Sequence, residues 1–364
     1  MNTKISQNIS LTEIAEFLKS KGLATEPIQG ETKISGINSV DLCNEGDLVF
    51  ASSAEYLKAA EKSVAAAIVT SAQIISKAEI SLSKPHLLTN NINLAHSFLK
   101  QHYVDWKFRD SEEWGKVHDS AVIHKTAKVD PTAIIGPNTV IGMNVIIKAN
   151  AVIMAGTVVE LEAVIGNNTI LHPNVTIGRQ CEIGDQCIIR SGSVIGSEGF
   201  GFAQDEKRKH HRIPQTGIVI IEDNCVIGAN NCIDRAAYSV TRIRSGTITD
   251  NFCHVAHNCD IGDDSILVAF TGIAGSTTLG KRVICSGQTG ILDHLNIPDD
   301  TTFLLRAAVS ESIEKAGVYA GGPPLLPLTQ HFRNSVVIRN LPQMSKDIKE
   351  LQKKVEQLQK ANQD

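Results

Sequence analysis

The 364-residue sequence predicts a mainly β fold, in which a parallel β-helix of hexapeptide repeats joins a small N-terminal α/β domain to a C-terminal helical segment. An aliphatic residue at every sixth position, thirteen times in succession from Ile123 to Ile195, predicts the β-helix. The same frame returns at Ile221 and again from Val255 to Ile297. The composition, 42% hydrophobic but only 4% aromatic, favours a core of small aliphatic layers.

A six-residue period fits neither an amphipathic helix nor a simple alternating strand. It fits short strands joined by tight corners, and three such hexads make one coil of eighteen residues, with coils stacked about 4.8 Å apart. Residues eighteen apart should therefore lie one above the other. Glycine follows the aliphatic residue six times, where we expect it to supply backbone freedom for the corners: Gly136, Gly142, Gly166, Gly178, Gly184 and Gly196.

Two stretches break the frame, Ser197 to Gly217 and Arg235 to Arg242. Extra residues must loop out of a regular coil. Loops on a rigid scaffold often carry binding function, although a tolerated surface insertion is the simpler explanation.

The ends of the chain lack the period. In the N-terminal part, Ser10 to Glu13 predicts a helix cap, and the helical face that follows ends at Gly22. The remaining patterns are a strand at Ala65–Thr70, a helix at Asn91–Tyr103 and a charged linker at Trp106–Val117. We expect an α/β domain at 1–115, the β-helix at 116–320 and a helical extension at 321–364.

The C-terminal extension begins after Gly321-Gly-Pro-Pro324, which stops the strands. Its apolar residues then alternate at spacings of three and four, which is typical of a helix with one apolar seam. This seam predicts packing either on the β-helix or on another copy of the chain. It consists of Leu341, Met344, Ile348, Leu351, Val355 and Leu358.

Composition excludes several classes of function. The net charge of −4 is too balanced for general nucleic-acid binding. The sequence contains neither a membrane-spanning apolar run nor an N-terminal secretory signal, so we expect a cytoplasmic protein. The eight cysteines form no CxxC pair, and we interpret them as core residues rather than as disulfides or a zinc site.

Candidate chemistry lies in the coil that contains His254-Val-Ala-His257. Gly275 is eighteen residues after His257 and His294 is thirty-seven residues after it, so the three should share one side of the coil. A neutral imidazole can accept a proton from an attacking amine or hydroxyl, and a nearby backbone N–H can stabilise an oxyanion. This combination suits acyl transfer without a covalent intermediate. A structural histidine, or a zinc site of His254, His257 and His294, are the alternatives.

Four ordered motifs make the chain similar to the UDP-3-O-acylglucosamine N-acyltransferases of lipid A biosynthesis, over nearly its whole length. The motifs are Ile195-Gly-Ser-Glu-Gly-Phe-Gly-Phe202, Ile233-Asp-Arg235, Val255-Ala-His257-Asn258 and Tyr319-Ala-Gly-Gly-Pro-Pro324. The resemblance implies a left-handed coil and a homotrimer with active sites between neighbouring chains. It also implies an acyl donor carried on acyl carrier protein, a UDP-sugar acceptor, and neither a metal nor a cofactor.

The resemblance implies roles for individual residues as well. His257 matches the base that deprotonates the 2-amino group of the acceptor, and Asp250 matches a carboxylate that orients that histidine. Gly275 matches the oxyanion-binding amide, and His294 matches a second histidine that contacts substrate. In the N-terminal domain, the positions that match uridine-binding residues are Phe50, Ser53 and Tyr56.

Three positions depart from the family pattern. Ser53 stands where relatives often have asparagine, so a hydrogen bond to uracil should be lost or rerouted. Ala308 stands near a methionine that closes the acyl groove in relatives, so a longer or differently shaped chain should fit. Glu311 stands where relatives carry arginine, so the carrier should dock elsewhere, on Arg306, the lysines of the last helix or the segment 207–212. The alternative activities are O-acylation of UDP-N-acetylglucosamine and a non-catalytic or zinc-bearing solenoid.

Overall fold

The structure, a computed structural model, describes residues 4–23, 32–104, 114–322 and 326–361. The chain forms two compact units, Met1–Ser111 and Glu112–Asp364. Most of the predicted linker at 106–117 lies outside the described residues.

The N-terminal unit is a five-stranded sheet in the order β1-β2-β3-β4-β5, with helices between the strands. β1 and β2 are antiparallel, and the other neighbours are parallel. The strands are β1 Lys4–Ser10, β2 Lys33–Asn38, β3 Asp47–Phe50, β4 Ala67–Thr70 and β5 His86–Leu88. The helices are α1 Leu11–Ser20, α2 Ala54–Lys62, α3 Ala72–Ala78 and α4 Ile92–Leu99, with a 3₁₀ turn at Val40–Leu42 and a π-helical turn at Lys100–Val104.

Helix α1 confirms the predicted cap. The Ser10 hydroxyl accepts the Glu13 N–H, and the Glu13 carboxylate accepts the Ser10 N–H. Its apolar face packs into the core of the unit through Leu11, Ile14 and Leu18, which are fully buried. The predicted strand at 65–70 and helix at 91–103 are confirmed by β4 and α4.

The second unit is the predicted β-helix, made of short strands separated by four-residue turns. Before the first break in the frame the strands are β6 Val122–Ile123, β7 Lys128–Val129, β8 Ile134–Ile135, β9 Val140–Ile141, β10 Ile146–Ile147, β11 Val152–Ile153, β12 Val158–Val159, β13 Val164–Ile165, β14 Ile170–Leu171, β15 Thr176–Ile177, β16 Glu182–Ile183, β17 Ile188–Ile189 and β18 Val194–Ser197. The later strands are β19 Phe202–Gln204, β20 His210–Arg212, β21 Ile218–Ile221, β22 Val226–Ile227, β23 Cys232–Asp234, β24 Val240–Ile243, β25 Ile248–Thr249, β26 His254–Val255, β27 Asp260–Ile261, β28 Ile266–Leu267, β29 Gly272–Ile273, β30 Thr278–Leu279, β31 Ile284–Cys285, β32 Gly290–Ile291, β33 Asn296–Ile297, β34 Thr302–Phe303, β35 Ala308–Val309 and β36 Val318–Tyr319.

Apart from β19 and β20, these strands form three parallel sheets, and up to β35 successive strands along the chain go to successive sheets. Val152 pairs with both Ile134 and Ile170, each eighteen residues away, as the hexad period predicts. The second residue of each two-residue strand points inward and builds one continuous aliphatic core. Six of the eight cysteines are buried, which confirms the interpretation of core residues for these six. Cys43 is half-buried and Cys232 is exposed, so for Cys232 that interpretation is wrong.

The predicted role of glycine at the corners is wrong at five of its six positions. Among them only Gly196 has a positive φ, and the left-handed corner positions are held mainly by residues such as Asn138 and Asn144. The five others are needed for close approach between coils. A Cβ on Gly142, for example, would lie 2.9 Å from the Leu161 nitrogen of the next coil.

Both frame breaks are insertions that leave the stack intact. Ile183 pairs with Ile221, thirty-eight residues on, which is twenty more than a regular coil. These extra residues form an inserted hairpin (residues 198–217) whose strands are β19 and β20. In the second insertion Ile221 pairs with Ile243, twenty-two residues on, so four residues loop out.

Helix α5, Leu328–Ala361, follows the coils. All six residues of the predicted apolar seam are exposed, each by at least 44%. Packing of this seam on the β-helix, one of the two alternatives, is therefore wrong. Among the described residues there is no helix long and apolar enough to cross a membrane.

Candidate active site

His257 lies in the turn between β26 and β27 and is half-buried. The next residue, Asn258, takes the left-handed corner position with φ 60°. The Asn258 side-chain Oδ1 accepts the Ala237 N–H at 2.9 Å. Its Nδ2 lies 3.1 Å from His257 Nδ1, so this ring nitrogen is engaged within the chain. Nε2 is the ring nitrogen left for chemistry.

The imidazole of His257 is held between two glycines. A Cβ built on Gly275, in the next coil, would lie 2.6 Å from Cε1 and 2.8 Å from Nε2 of the ring. A Cβ on Gly199, in the inserted hairpin, would lie 2.7 Å from the His257 Cβ and 3.1 Å from its Cδ2. Only residues without a side chain allow the backbone this close on both sides. The structure thus brings His257 and Gly275 together.

The backbone around Gly275 presents a hydrogen-bond donor beside the imidazole. The Ser276 N–H donates to the His257 carbonyl at 2.9 Å, which holds the two turns in register. Among the hydrogen bonds of the described residues, none uses the Gly275 N–H. A preorganised donor of this kind stabilises charge that develops on an oxygen.

A cavity of about 670 Å³ begins at His257 and runs along the sheet that contains β26. Its floor is made by the outward-facing residues Gly272, Gly290 and Ala308, which lie in register in successive coils. A Cβ at Gly272 or Gly290 would meet nothing within 4 Å, so missing side chains create this space. Phe200 of the inserted hairpin borders the cavity. The result is an apolar groove that ends at an imidazole.

Asp234 is a carboxylate within electrostatic reach of this imidazole, and the sequence analysis assigned it no role. It lies at the end of β23, one coil below, and is buried. The Ser197 hydroxyl donates to it at 2.6 Å, and His254 Nε2 lies 3.7 Å from Oδ2. Burial raises the pKa of Asp234, while Ser197 and the imidazoles of His254 and His257 act in the opposite direction. An anion here stabilises a positive charge on His257.

The structure does not place Asp250 beside His257 within one chain. Asp250 lies in the turn before β26, whereas His257 lies in the turn after it, so they occupy different corners of one coil. The Asp250 carboxylate accepts the N–H of Asn251 at 2.8 Å. His294 is on the same corner as His257, and its N–H donates to the Gly275 carbonyl at 3.0 Å. Its side chain is 75% exposed beside Asp293.

The histidines do not form a metal site in the described part of the chain. There, no group of three or more His, Cys, Asp or Glu side chains is positioned to hold an ion. The alternative zinc site of His254, His257 and His294 therefore lacks its ligand geometry.

Comparison with known proteins agrees with the motifs. The chain is 47% identical to a UDP-3-O-acylglucosamine N-acyltransferase of Methylococcus capsulatus, over 96% of this chain and 99% of that one. The chain belongs to this acyltransferase family. The same name is carried by a Wolinella succinogenes protein that is 50% identical over 39% of this chain and 43% of its own.

Other similarities cover less of the chain. Residues 117–199 match the family described as GMPPB C-terminal domain. A solved UDP-N-acetylglucosamine O-acyltransferase from Moraxella catarrhalis is 26% identical, with a TM-score of 0.43, and the match covers 57% of this chain and 72% of that one.

In this acyltransferase, the predicted uridine-binding residues lie in one segment at the carboxyl end of β3. Ligands commonly bind at the carboxyl ends of parallel strands. Phe50 ends β3 and packs against the ring of His96 in a tilted arrangement, with centroids 4.3 Å apart and an interplanar angle of 33°. Tyr56 in the first turn of α2 is 53% exposed. Burial and, to a smaller extent, Lys100 lower the pKa of His96, so the ring on Phe50 stays neutral.

Ser53 has a structural role that the sequence analysis did not assign. It is the N-cap of α2, and its hydroxyl accepts the Tyr56 N–H at 3.2 Å. Capping uses the oxygen as an acceptor, so the hydroxyl proton is what remains for a ligand.

Proposed function

We propose that the chain transfers an acyl group from a thioester to the 2-amino group of UDP-3-O-acylglucosamine. The observation that carries this proposal is the close approach of the Gly275 backbone, whose N–H makes no hydrogen bond among the described residues, to the His257 ring at one end of an apolar groove. The relative named for this reaction, which is similar over nearly the full chain, supports the same activity.

In the proposed reaction the acceptor amine attacks the thioester carbonyl, and His257 Nε2 takes the proton that the nitrogen loses. The carbonyl oxygen becomes an oxyanion and accepts the Gly275 N–H. When the C–S bond breaks, the imidazolium returns its proton to the departing thiolate. The products are an amide and a free thiol, and the enzyme returns to its starting protonation state.

Asp234 and Asn258 prepare the imidazole for this cycle. The Asp234 carboxylate stabilises the imidazolium that forms during attack. Base chemistry at Nε2 requires the proton to sit on Nδ1, whereas the resting amide of Asn258 donates to Nδ1. The amide must therefore present its Oδ1 to the ring when the reaction begins. That rotation releases the Ala237 N–H.

The groove over Gly272, Gly290 and Ala308 is the proposed place of the acyl chain. Its floor carries no side chain larger than a methyl group, and each methylene buried there contributes about 0.8 kcal/mol. The UDP group is proposed to bind the N-terminal unit at Phe50, Ser53 and Tyr56.

The proposed donor is acyl carrier protein and the proposed assembly is a cytoplasmic homotrimer. The exposed seam of α5 supports association, because an unpartnered a/d stripe in water needs a second copy to bury it. In a trimer, Asp250 keeps its proposed role by facing the His257 of a neighbouring copy. His294 is proposed to contact the acceptor.

Mass spectrometry tests the activity. Purified protein is incubated with UDP-3-O-acylglucosamine and acyl carrier protein loaded with chains of different length, and we expect one added amide-linked acyl group. His257→Ala should reduce kcat by about 10² to 10⁴, the usual contribution of a general base. If no chain is transferred, or if His257→Ala keeps full activity, the reaction or the base assignment is wrong.

A further inference from the structure

The inserted hairpin carries a compact basic tip on a protein whose net charge is −4. Its sequence from Asp205 to Arg212 reads DEKRKHHR. The hairpin lies next to the groove, since Gly199 contacts His257 and Phe200 borders the cavity. A partner bound at the tip would therefore be attached to the same hairpin whose base borders the groove.

The base of the hairpin is fixed by a buried arginine. Arg235 is 2% exposed, and its guanidinium donates to the carbonyl of Gly196 at 2.9 Å and to that of Gly217 at 3.2 Å. A third bond reaches the carbonyl of Arg179 at 3.2 Å. Gly196 lies in β18 just before the inserted hairpin, and Gly217 is the last residue of the hairpin. One side chain thus ties both ends to the coil.

The tip of the hairpin has a defined shape. The Asp205 carboxylate accepts the N–H groups of Lys207 and Lys209, each at 2.9 Å, and lies 2.9 Å from His211 Nε2. Arg208 sits in the left-handed region with φ 62°. The basic side chains therefore extend from an ordered turn.

Three cations of the tip remain unpaired. Arg212 is paired with Glu198 at 2.6 Å, and His211 Nε2 lies 2.9 Å from Asp205, so both side chains already have partners within the hairpin. None of the ion pairs of the described residues includes Lys207, Arg208 or Lys209, and Glu206 is the one acidic neighbour left. The three side chains give the tip a net positive charge that is free for a partner.

The far end of the groove carries charges of both signs. Ser310 lines the cavity there, the exposed Glu311, Glu314 and Lys315 follow it, and the exposed Arg306 lies in the same coil. An acidic protein therefore finds an excess of positive charge at the hairpin tip and none at this end. Charge complementarity of this kind steers encounter and selects the docking side.

We propose that the tip of the inserted hairpin, Lys207, Arg208 and Lys209, is the docking surface for an acidic carrier protein that delivers the acyl thioester. This inference rests on the proposed function for the nature of the donor. It places the carrier at the hairpin rather than at Arg306 or on the lysines of α5.

The experiment compares two variants of the full chain. In the hairpin variant Lys207→Ser, Arg208→Ser and Lys209→Ser are combined. In the matched control Lys349→Ser, Lys353→Ser and Lys354→Ser remove the same charge from α5, which also tests the rival surface. Each protein is assayed with an acylated carrier protein and with the same acyl group on pantetheine.

We expect the hairpin variant to raise KM for the acylated carrier about tenfold or more, and to leave the constants for acyl-pantetheine and UDP-sugar unchanged. Salt should remove most of this difference by screening the charges. An unchanged KM for the carrier would overturn the proposal. A KM increase confined to the UDP-sugar would also overturn it, because the cations would then bind the diphosphate. A higher KM for the carrier in the α5 variant alone would overturn it as well.

Direct binding separates this inference from the proposed function. The affinity of the unacylated carrier for wild type and both variants is measured by isothermal titration. If wild type transfers no acyl group but the hairpin variant alone loses carrier binding, the docking surface stands and the proposed reaction fails. If wild type acylates the sugar but the hairpin variant binds the carrier as tightly as wild type does, only the docking surface is wrong.

Discussion

Replacing Gly275 by alanine is the sharpest test of the geometry around His257. The added Cβ would lie 2.6 Å from Cε1 of the ring, and ordinary contact begins at 3.4 Å, so the imidazole must retreat by about 0.8 Å. Gly199 closes the opposite side of the same side chain, so the ring must leave its position rather than shift within it. A displacement of about 1 Å at a catalytic group costs roughly 10²-fold in rate, or about 2.7 kcal/mol of barrier.

The backbone itself tolerates this change. Gly275 is not in the left-handed region, so alanine meets no conformational strain and removes about 0.4–1 kcal/mol of unfolded-state freedom. We therefore expect kcat to fall about 100-fold while the thermal midpoint changes by only a few degrees. The assay is steady-state acyl transfer followed by a thermal melt of the same preparation.

Gly287→Ala is the matched control, because a Cβ there would have its nearest neighbour, the Ala269 carbonyl oxygen, at 3.5 Å. It should keep full activity. Gly275→Ala with kcat within threefold of wild type would refute the reasoning, since the imidazole and this amide would then not act on the same reacting carbonyl. A large loss of stability in Gly275→Ala but not in Gly287→Ala would also contradict it.

Four further outcomes follow from the structure. Asp234→Asn should lower kcat about 10- to 100-fold, a part of what a general base supplies. Burial raises the pKa of Asp234, so its contribution to the free energy of unfolding is present below the unfolded pKa and is lost as pH rises through the folded pKa. Thermal melts at pH 4 and pH 7 should therefore show that Asp234→Asn becomes more stable relative to wild type at the higher pH. Ala308→Met should lower kcat/KM about fourfold for each methylene it displaces from the groove, measured over a series of chain lengths. Ile348→Ser with Leu351→Ser should lower the mass measured by light scattering from that of the proposed trimer to that of a monomer. An unchanged mass would show that the seam does not hold copies of the chain together. Phe50→Ala should raise KM for the UDP-sugar by roughly 5- to 150-fold with no change for the acyl donor, as loss of 1–3 kcal/mol of stacking predicts.

The regular part of the fold follows from spacing alone, because one residue in six must be aliphatic to fill the coil. This is why the pairing of Val152 with Ile134 and Ile170 was predictable. The same period does not reveal why a glycine is needed, because a corner with positive φ and a close approach between coils both require glycine. The distances at Gly142 show that contact between coils decides it.

The carboxylate below His257 was not predictable from the eighteen-residue rule. Val255 pairs with Ile233, twenty-two residues away, because the second insertion adds four residues to that coil. Counting back eighteen from His257 leads to Ser239, whereas the residues actually below are Asp234 and Arg235. Ile233-Asp-Arg235 directly before the frame break was the available signal. Two successive charged residues in the frame of a coil, at the edge of an insertion, indicate a role in holding the loop, which Arg235 fulfils through backbone carbonyls.

Both interruptions of the repeat therefore contribute to one site. The regular stacking of coils brings Gly275 next to His257. It also aligns the small residues that leave space for the groove. The first insertion adds Gly199 and Phe200 on the other side of the ring, and the second changes the register so that Asp234 lies beneath it. A repeat without insertions would present the same imidazole to solvent, without a wall or a nearby anion. The chemistry thus depends on where the period fails, and the stability depends on where it holds.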